Sequence, residues 1–272
     1  MKHWVFAAAV LLSLTGQAAA APPKPRRIMS LKICTDALLL DLAPPSRIAS
    51  VTFLAREKAA LRWWPQAAHI PVNHNSAEEI LAAKPDLILT DSFTAPALRP
   101  LLARTGARVI EVPPAGNFDQ IRAVTRLVAR AVGEEARGAQ LIARMDADLA
   151  TLAAHRPRKA LTVAAWGGGG YVPGRGGLFD AVLSAVGARN IEQGGFGYYD
   201  VETLVAKNPD ALIYADTYAG TASLRDDQNL HPALLKRYAD RRVSHDALYG
   251  CGVPQTARTA LQLQAALARM PR

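Results

Sequence analysis

The sequence has two cysteines, an aromatic content of only 6% and a single uninterrupted apolar stretch, which lies at the N-terminus. Because no other segment could span a bilayer, the sequence excludes a polytopic membrane protein. The net charge of +9 comes from basic residues interleaved with acidic ones, and no basic stripe carries interleaved aromatic residues. We therefore expect no nucleic-acid partner. Half of the 272 residues are hydrophobic, which predicts one large α/β domain or two lobes with buried cores.

Residues 1–21 have the features of a secretory signal peptide. A basic start is followed by an apolar run from Trp4 to Leu14, too short to span a bilayer, and then by small residues. The run of alanines at 18–20 forms an A-x-A cleavage site, which predicts a mature chain beginning at Ala21. No cysteine lies at this site, so we expect no lipid anchor. The sequence predicts export to a bacterial periplasm; a buried N-terminal helix is the alternative.

Common signatures of catalysis, nucleotide binding and metal binding are also missing. The sequence contains no G-x-S-x-G, H-E-x-x-H or G-K-[ST] pattern, and the glycine run after Trp166 lacks dinucleotide-binding spacing. The histidines of the mature chain form no i, i+4 pair and no tract. We therefore expect no enzymatic activity, no resident metal ion and no cofactor. A free metal-ion or oxyanion binder and a secreted hydrolase stay as alternatives, since catalytic groups can assemble from distant positions.

The two cysteines, Cys34 and Cys251, lie near opposite ends of the mature chain. An oxidising compartment favours a disulfide bond between them. Two free thiols that contact a ligand or a metal are the alternative. Two cysteines alone do not complete a structural zinc site.

Strand and helix patterns alternate along the chain, which is typical of parallel sheets with right-handed crossovers. One pattern occurs twice: Glu78 and Glu202 each precede a Pro-Asp pair by seven residues, and an aliphatic strand follows both pairs. Two homologous α/β lobes explain this repeat better than chance does. Between the copies, apolar residues from Leu141 to Leu152 recur at helical spacing. They predict a long helix that links the lobes, with a helical hairpin inside one larger domain as the alternative.

These patterns divide the chain into four parts. They are the signal peptide at residues 1–21, an N-terminal α/β lobe at 22–116, a linking helical segment at 117–156 and a C-terminal α/β lobe at 157–272.

The signal peptide, the paired segments and the helical tether together resemble the periplasmic substrate-binding proteins of metal-chelate ABC importers. Members of this family bind cobalamin, haem or ferric siderophores, and the vitamin B12 binders offer the nearest comparison. The segments that begin at Ser30 and Gly174 look like the first elements of the family's two lobes. The resemblance implies two Rossmann-like lobes joined by a long helix, with the ligand in the cleft between them. It also implies a monomer that is not an enzyme and that delivers its ligand to an ABC permease and the ATPase bound to that permease.

The family carries an exposed docking glutamate at the top of each lobe, and Glu78 and Glu202 match those positions. An exposed carboxylate on each lobe can meet a basic pocket on each permease subunit, where rim charges steer encounter and set register. The alternative is that both residues only favour the first turns of their helices through the helix dipole.

Candidate ligand contacts come from the loops beyond the carboxyl ends of the predicted strands, where ligands of α/β sheets bind. Most aromatic residues of the mature chain lie in these loops, as a flat chelate would require; packing beneath the loops is the alternative. Phe196 ranks first because it stands six residues before Glu202, where the vitamin B12 binder places an aromatic ring over its ligand. The full set is Asn73, His74, Asp91, Phe93, Trp166, Tyr171, Phe196, Tyr199 and Tyr218.

Overall fold

The computed structural model of the protein describes residues 23–94, 98–166, 168–214, 231–244 and 250–270. The predicted signal peptide and the candidate ligand contact Tyr218 lie outside these ranges. Within them, no helix combines the length and the hydropathy that crossing a membrane requires.

The first lobe is built on a sheet of parallel strands in the order β3-β2-β1-β4-β5. Neighbouring residues of β1 face different cores: Ile28 packs in a cluster with α1, and Met29 packs in another with α3 and α4. Helices therefore cover both faces, as parallel sheets require. The strands are β1 (Ile28–Ser30), β2 (Ile48–Thr52), β3 (Val72–Asn73), β4 (Leu87–Thr90) and β5 (Arg108–Glu111), and the helices are α1 (Ile33–Leu42), α2 (Lys58–Trp63), α3 (Ala77–Ala83) and α4 (Leu98–Arg104).

Two helices, α5 (Phe118–Val132) and α6 (Glu135–Ala154), connect the lobes. A turn of two residues separates them, and its first residue, Gly133, has the left-handed conformation with φ of 73°. Helix α5 packs in the first-lobe core, whereas α6 contacts that core through Leu141 and the second-lobe core through Leu152. With 20 residues, α6 is about 30 Å long, enough to reach across both lobes. The long helix that the sequence predicts between the lobes is α6, and α5 precedes it with most of its buried residues in the first-lobe core.

The second lobe contains a sheet of parallel strands in the order β11-β10-β6-β8 and an antiparallel pair, β7-β9. Its strands are β6 (Thr162–Trp166), β7 (Tyr171–Pro173), β8 (Arg189–Asn190), β9 (Phe196–Tyr198), β10 (Ala211–Tyr214) and β11 (Arg242–Ser244). Its helices are α7 (Leu178–Val186), α8 (Val201–Lys207), α9 (Pro232–Arg237) and α10 (Thr256–Ala268). The fold is therefore two α/β lobes joined by a long helix, which confirms the predicted fold class.

The sequence repeat has the same structure in both lobes. Helices α3 and α8 both end in a residue with the left-handed conformation, directly before the Pro-Asp pair. Asp86 then accepts hydrogen bonds from the backbone N–H groups of Arg26 and Arg27 at the start of β1, at 2.6 and 3.0 Å. Asp210 accepts one from the backbone N–H of Thr162 at the start of β6, at 2.7 Å. Because β4 lies beside β1 and β10 beside β6, α3 and α8 occupy equivalent positions.

The segment 250–255 joins the lobes a second time. It follows the second-lobe strand β11 in the chain, yet Cys251 and Val253 are buried in the first-lobe core. Cys251 forms a disulfide bond with Cys34 of α1, and the Gln255 side chain donates to the Asp41 carboxylate of α1 at 2.5 Å. Helix α10 then returns to the second lobe, where it packs on α6 and α7. The structure thus contains the disulfide that the sequence predicts.

Thr35 and Asp36 are of residue types that often cap helices, but α1 already begins at Ile33 and both side chains are buried. The Asp36 carboxylate accepts the backbone N–H of Thr52, at 3.1 Å to each oxygen, and Thr35 Oγ1 pairs with the Ser30 hydroxyl at 2.7 Å. Burial raises the pKa of Asp36 to about 7, against the opposing effect of these hydrogen bonds. Asp36 thus fixes the end of β2 to α1, Thr35 fixes the end of β1 to α1, and neither residue caps the helix.

Candidate ligand-binding cleft

A cavity of about 320 Å³ lies between the lobes, at the carboxyl ends of the first-lobe strands. The residues after β1, β4 and β5 form its first-lobe wall, and Leu178, Gly250 and Gly252 close it from the other side. Ligands of parallel α/β sheets bind at this edge, and small-molecule sites start at about 300 Å³. The cavity therefore has the position and the size of a binding site.

The disulfide bond lies in the wall of this cavity. Cys34 lines the cavity together with Gly250 and Gly252, which flank Cys251. Gly252 also packs tightly against the first lobe, since a Cβ there would lie 2.4 Å from the carbonyl oxygen of Ala115. Segment 250–255, which leads from the second lobe, is therefore fixed to the first lobe at the cavity itself.

One ion pair stands among the largely apolar residues that line the cavity. Lys32 Nζ lies 3.6 Å from Asp91 Oδ1, and the two residues follow the neighbouring strands β1 and β4. Asp91 Oδ1 also accepts the backbone N–H of Phe93 at 3.0 Å, which holds the carboxylate against its own loop. The cavity thus offers a cation and an anion at one point of its wall.

Three aromatic rings form a continuous surface on the second lobe, which we call the aromatic face. It consists of Tyr171 on β7 and of Phe196 and Tyr198 on β9, which are 40%, 61% and 71% exposed. Their ring centroids lie 5.8 to 6.2 Å apart. The Tyr171 and Phe196 rings are stacked, with 28° between their planes, whereas the Tyr198 ring stands edge-on to both, at 64° and 83°. The aromatic face therefore offers two ring faces and one ring edge to a flat partner.

Strand alternation decides which aromatic residues of β9 reach the surface. Side chains of a strand alternate between its two faces, so Phe196 and Tyr198 point to one side. Tyr199 comes next and points to the other side, where it is buried. Its hydroxyl donates to Glu192 Oε2 at 2.6 Å, and burial together with this hydrogen bond raises the pKa of Tyr199 to about 12. Tyr199 therefore supports the aromatic face from behind.

The aromatic face lies next to the wall of the cavity. Gly174, directly after β7, packs on the backbone of Gly194, just before β9, so the loop 174–177 continues from the aromatic face. This loop contacts the first lobe, because a Cβ on Gly116 would lie 3.4 Å from the carbonyl oxygen of Gly176. Gly116 and Leu178, the residue after this loop, both line the cavity.

The opposite rim, on the first lobe, carries a stacked pair of rings. Phe53 follows β2 and lies 5.1 Å from the His74 ring, with 15° between the ring planes. Glu79 fixes this pair, since its carboxylate accepts the backbone N–H of His74 at 2.8 Å and pairs with Nδ1 at 3.0 Å. The hydrogen bond from the His74 side chain is the largest reason why the pKa of Glu79 falls to about 2. Glu79 also forms a capping box with Ser76 at the start of α3.

Five of the predicted ligand contacts lie on the carboxyl-end edges of the two lobes. They are His74, Asp91, Phe93, Tyr171 and Phe196.

Three other predicted contacts are buried within the lobes, and we do not retain them as ligand contacts. The Asn73 amide donates to groups of β1 and β2 at 2.8 to 3.0 Å, so it joins strands. Trp166 and Tyr199 belong to the core cluster beneath α8 and α9. The sequence places Tyr198 in a predicted ligand loop without ranking it among the ligand contacts, and strand alternation around Phe196 identifies it. Lys32 is absent from the contacts that the sequence predicts.

The two candidate docking residues, Glu78 and Glu202, are exposed in the first turns of α3 and α8. Ser76 caps α3 by accepting the backbone N–H of Glu79 at 3.2 Å, and Asp200 caps α8 by accepting that of Thr203 at 2.7 Å. Because other side chains satisfy these N–H groups, the carboxylates of Glu78 and Glu202 are available at the surface. Docking on a permease stays a prediction.

Within the described ranges, no group of three or more His, Cys, Asp and Glu residues is arranged so that it could hold a metal ion.

The two lobes, the linking helix and the inter-lobe cleft define a two-lobed α/β binding protein. A model of the periplasmic binding protein family matches residues 62–234, and the chain belongs to that family. The resemblance that the sequence indicates is thereby confirmed at the level of the family. No curated protein gives a significant match to the sequence.

Several solved structures share the fold. The periplasmic haem-binding protein RhuT from Roseiflexus sp. RS-1 is 23% identical over 89% of this chain and 97% of its own, with a TM-score of 0.73. The periplasmic vitamin B12-binding protein BtuF of Vibrio cholerae is 17% identical over 91% and 98%, with a TM-score of 0.68. The molybdate-binding protein MolA of Haemophilus influenzae is 18% identical over 91% and 87%, with a TM-score of 0.74. At these identities the likeness is one of fold.

Proposed function

We propose that the protein is the periplasmic solute-binding component of an ABC importer and that it captures a metal chelate in the inter-lobe cleft. The ligand is a corrinoid, haem or a ferric siderophore. One observation carries the proposal: among the described residues, every exposed phenylalanine and tyrosine either lies in the segment after a parallel strand (β2, β4 or β6) or lies on β9, which pairs with the segment after β6. These residues are Phe53, Phe93, Tyr171, Phe196 and Tyr198.

The surface chemistry of the cleft favours a chelate over a free ion. An exposed ring offers an apolar face of more than 100 Å², which a flat organic ligand can cover and a hydrated ion cannot. An oxyanion such as molybdate needs positive charge together with several hydrogen-bond donors around it, and the aromatic face carries no charge and offers only the hydroxyls of Tyr171 and Tyr198 as donors. The aromatic face is therefore the part of the cleft that selects for a large conjugated ligand.

Delivery of the ligand requires a second surface that does not overlap the first. Glu78 and Glu202 occupy equivalent positions on the two lobes, so a permease of two related subunits can contact both at once. We propose that these two carboxylates dock on basic pockets of the permease, and that the ATPase acts through the permease. Export to the periplasm, by the signal peptide at residues 1–21, belongs to the same proposal.

Removing rings from the aromatic face is expected to weaken ligand binding without unfolding the protein. Phe196→Ala and Tyr198→Ala should each cost about 1 kcal/mol of binding free energy, because the chelate loses a stacking contact with Phe196 in the first variant and an edge contact with Tyr198 in the second. The measurement is fluorescence titration of each variant with haemin and with cyanocobalamin.

Leu81→Ala provides the matched control for these variants. Leu81 is an exposed apolar residue on α3, away from the aromatic face, so its removal should leave the Kd unchanged. If both ring variants keep the wild-type Kd for the ligand that binds, the aromatic face is not the ligand platform.

A further inference from the structure

Lys32 lies in the cavity wall, and the proposed function assigns no role to it. It stands two residues after the end of β1, lines the cavity and is 30% exposed at its side chain. Its backbone is fixed, because its carbonyl oxygen accepts hydrogen bonds from Thr35 Oγ1 at 2.9 Å, Ser30 Oγ at 3.2 Å and the Asp36 N–H at 2.8 Å. The ammonium group therefore projects from a rigid position into the cleft.

The counter-charge of Lys32 holds it only loosely. Asp91 Oδ1 lies 3.6 Å from Nζ, beyond the length of a direct hydrogen bond, while the same oxygen accepts the Phe93 N–H at 3.0 Å. The Asp91 side chain is 22% exposed, so water still reaches both charges. A partly hydrated pair of this kind contributes little to stability and can exchange its partner.

We infer that Lys32 is a specificity-determining residue that binds an anionic substituent of the ligand, with Asp91 as the counter-charge that the ligand's anion replaces. A ligand that fills the cavity removes water from Lys32, and a buried ammonium group requires an anion or acceptors in place of that water. A carboxylate of the ligand meets this requirement. The inference rests on the proposed function and narrows it to chelates with carboxylate groups.

Paired probes that differ only in charge test this inference on the mature protein. Haemin has two carboxylates, and its dimethyl ester has the same conjugated ring without them. A charge-assisted hydrogen bond from Lys32 should make wild-type binding of haemin at least about tenfold tighter than binding of the ester. Lys32→Met should remove this preference, because it weakens the binding of haemin and leaves the binding of the ester unchanged. The control variant Lys159→Met, at the opposite end of the second lobe, should keep the preference.

A second variant moves the affinity in the opposite direction and so separates the charge effect from misfolding. Asp91→Asn keeps an oxygen that can accept the Phe93 N–H and removes the competing negative charge. It should tighten haemin binding several-fold and leave binding of the ester unchanged.

The outcomes for the proposed function and for the inference are distinct. Equal wild-type affinity for haemin and its ester, or an unchanged preference in Lys32→Met, overturns the inference and leaves the chelate-binding function standing. The corrin side chains of cyanocobalamin are amides. If the protein binds cyanocobalamin and not haemin, the inference is likewise overturned and the chelate-binding function stands. A wild-type protein that binds no chelate overturns both.

Discussion

Replacing Glu78 and Glu202 together by arginine is expected to abolish import while leaving ligand affinity unchanged. Both residues are exposed in the first turn of a short helix, at equivalent positions of the two lobes. Two arginines there would face the basic pockets expected on the permease, and like charges in an interface cost several kcal/mol and misdirect encounter. Each single substitution should reduce import less than the pair does. The measurement is ligand uptake into proteoliposomes that contain the cognate transporter, alongside titration of the ligand.

The linking helix provides a matched control for this charge reversal. Glu135 is also an exposed glutamate in the first turn of its helix, α6, so Glu135→Arg carries the same helix-dipole penalty of about 0.3 to 1 kcal/mol. Its import rate should match that of the wild type. Lost ligand affinity in the double variant, or undiminished import by it, contradicts the docking assignment.

Removing the disulfide bond is expected to lower the free energy of unfolding more than any of the other substitutions does. The bond between Cys34 and Cys251 closes a loop with a sequence separation of 217 residues. In the chain-entropy model, a cross-link over such a loop destabilises the unfolded state by about 5 kcal/mol. The double variant Cys34→Ala, Cys251→Ala should lose free energy of unfolding on that scale, measured by urea denaturation.

Reduced wild-type protein separates the effect of the bond from that of the side chains. Its free energy of unfolding should match that of the double variant, because both lack the cross-link and retain the same first-lobe core around segment 250–255. Mass spectrometry without reductant should detect the linked peptide pair. Alkylation of both thiols in the native, unreduced protein would show that the bond does not form.

The features that the sequence predicts are those with a local signature. The repeat at 78–86 and 202–210 marks α3 with β4 and α8 with β10, because a left-handed residue, a proline and an aspartate must follow one another at that junction. The capping box of α3 is visible for the same reason, since Ser76 and Glu79 are three residues apart. The export signature made the disulfide bond predictable from composition and compartment alone.

The features that escaped prediction depend on partners distant in the sequence. Thr35 and Asp36 look like helix caps, but Asp36 is recruited by Thr52 of the neighbouring strand. Segment 250–255 follows second-lobe elements in the chain and packs in the first lobe, which no local pattern reveals.

The choice between adjacent tyrosines was a matter of strand register. Tyr198 and Tyr199 are identical in type, and only the start of β9 at Phe196 decides which one is exposed. Neighbouring glycines weaken the strand pattern, so the sequence did not define that start. The same limit applies to Lys32, which stands two residues after a strand of only three residues.

A thermal-shift panel on the mature protein tests the central claim most directly. The panel contains cobalamin, cobinamide, haemin, several ferric siderophores, molybdate, zinc and manganese. A ligand that binds the folded state alone adds about 2.7 kcal/mol of stability at a concentration of 100 times its Kd, which is readily visible as a higher unfolding temperature. The proposed function predicts a shift with a metal chelate and none with the free ions. A shift with molybdate, zinc or manganese and with none of the chelates would contradict it.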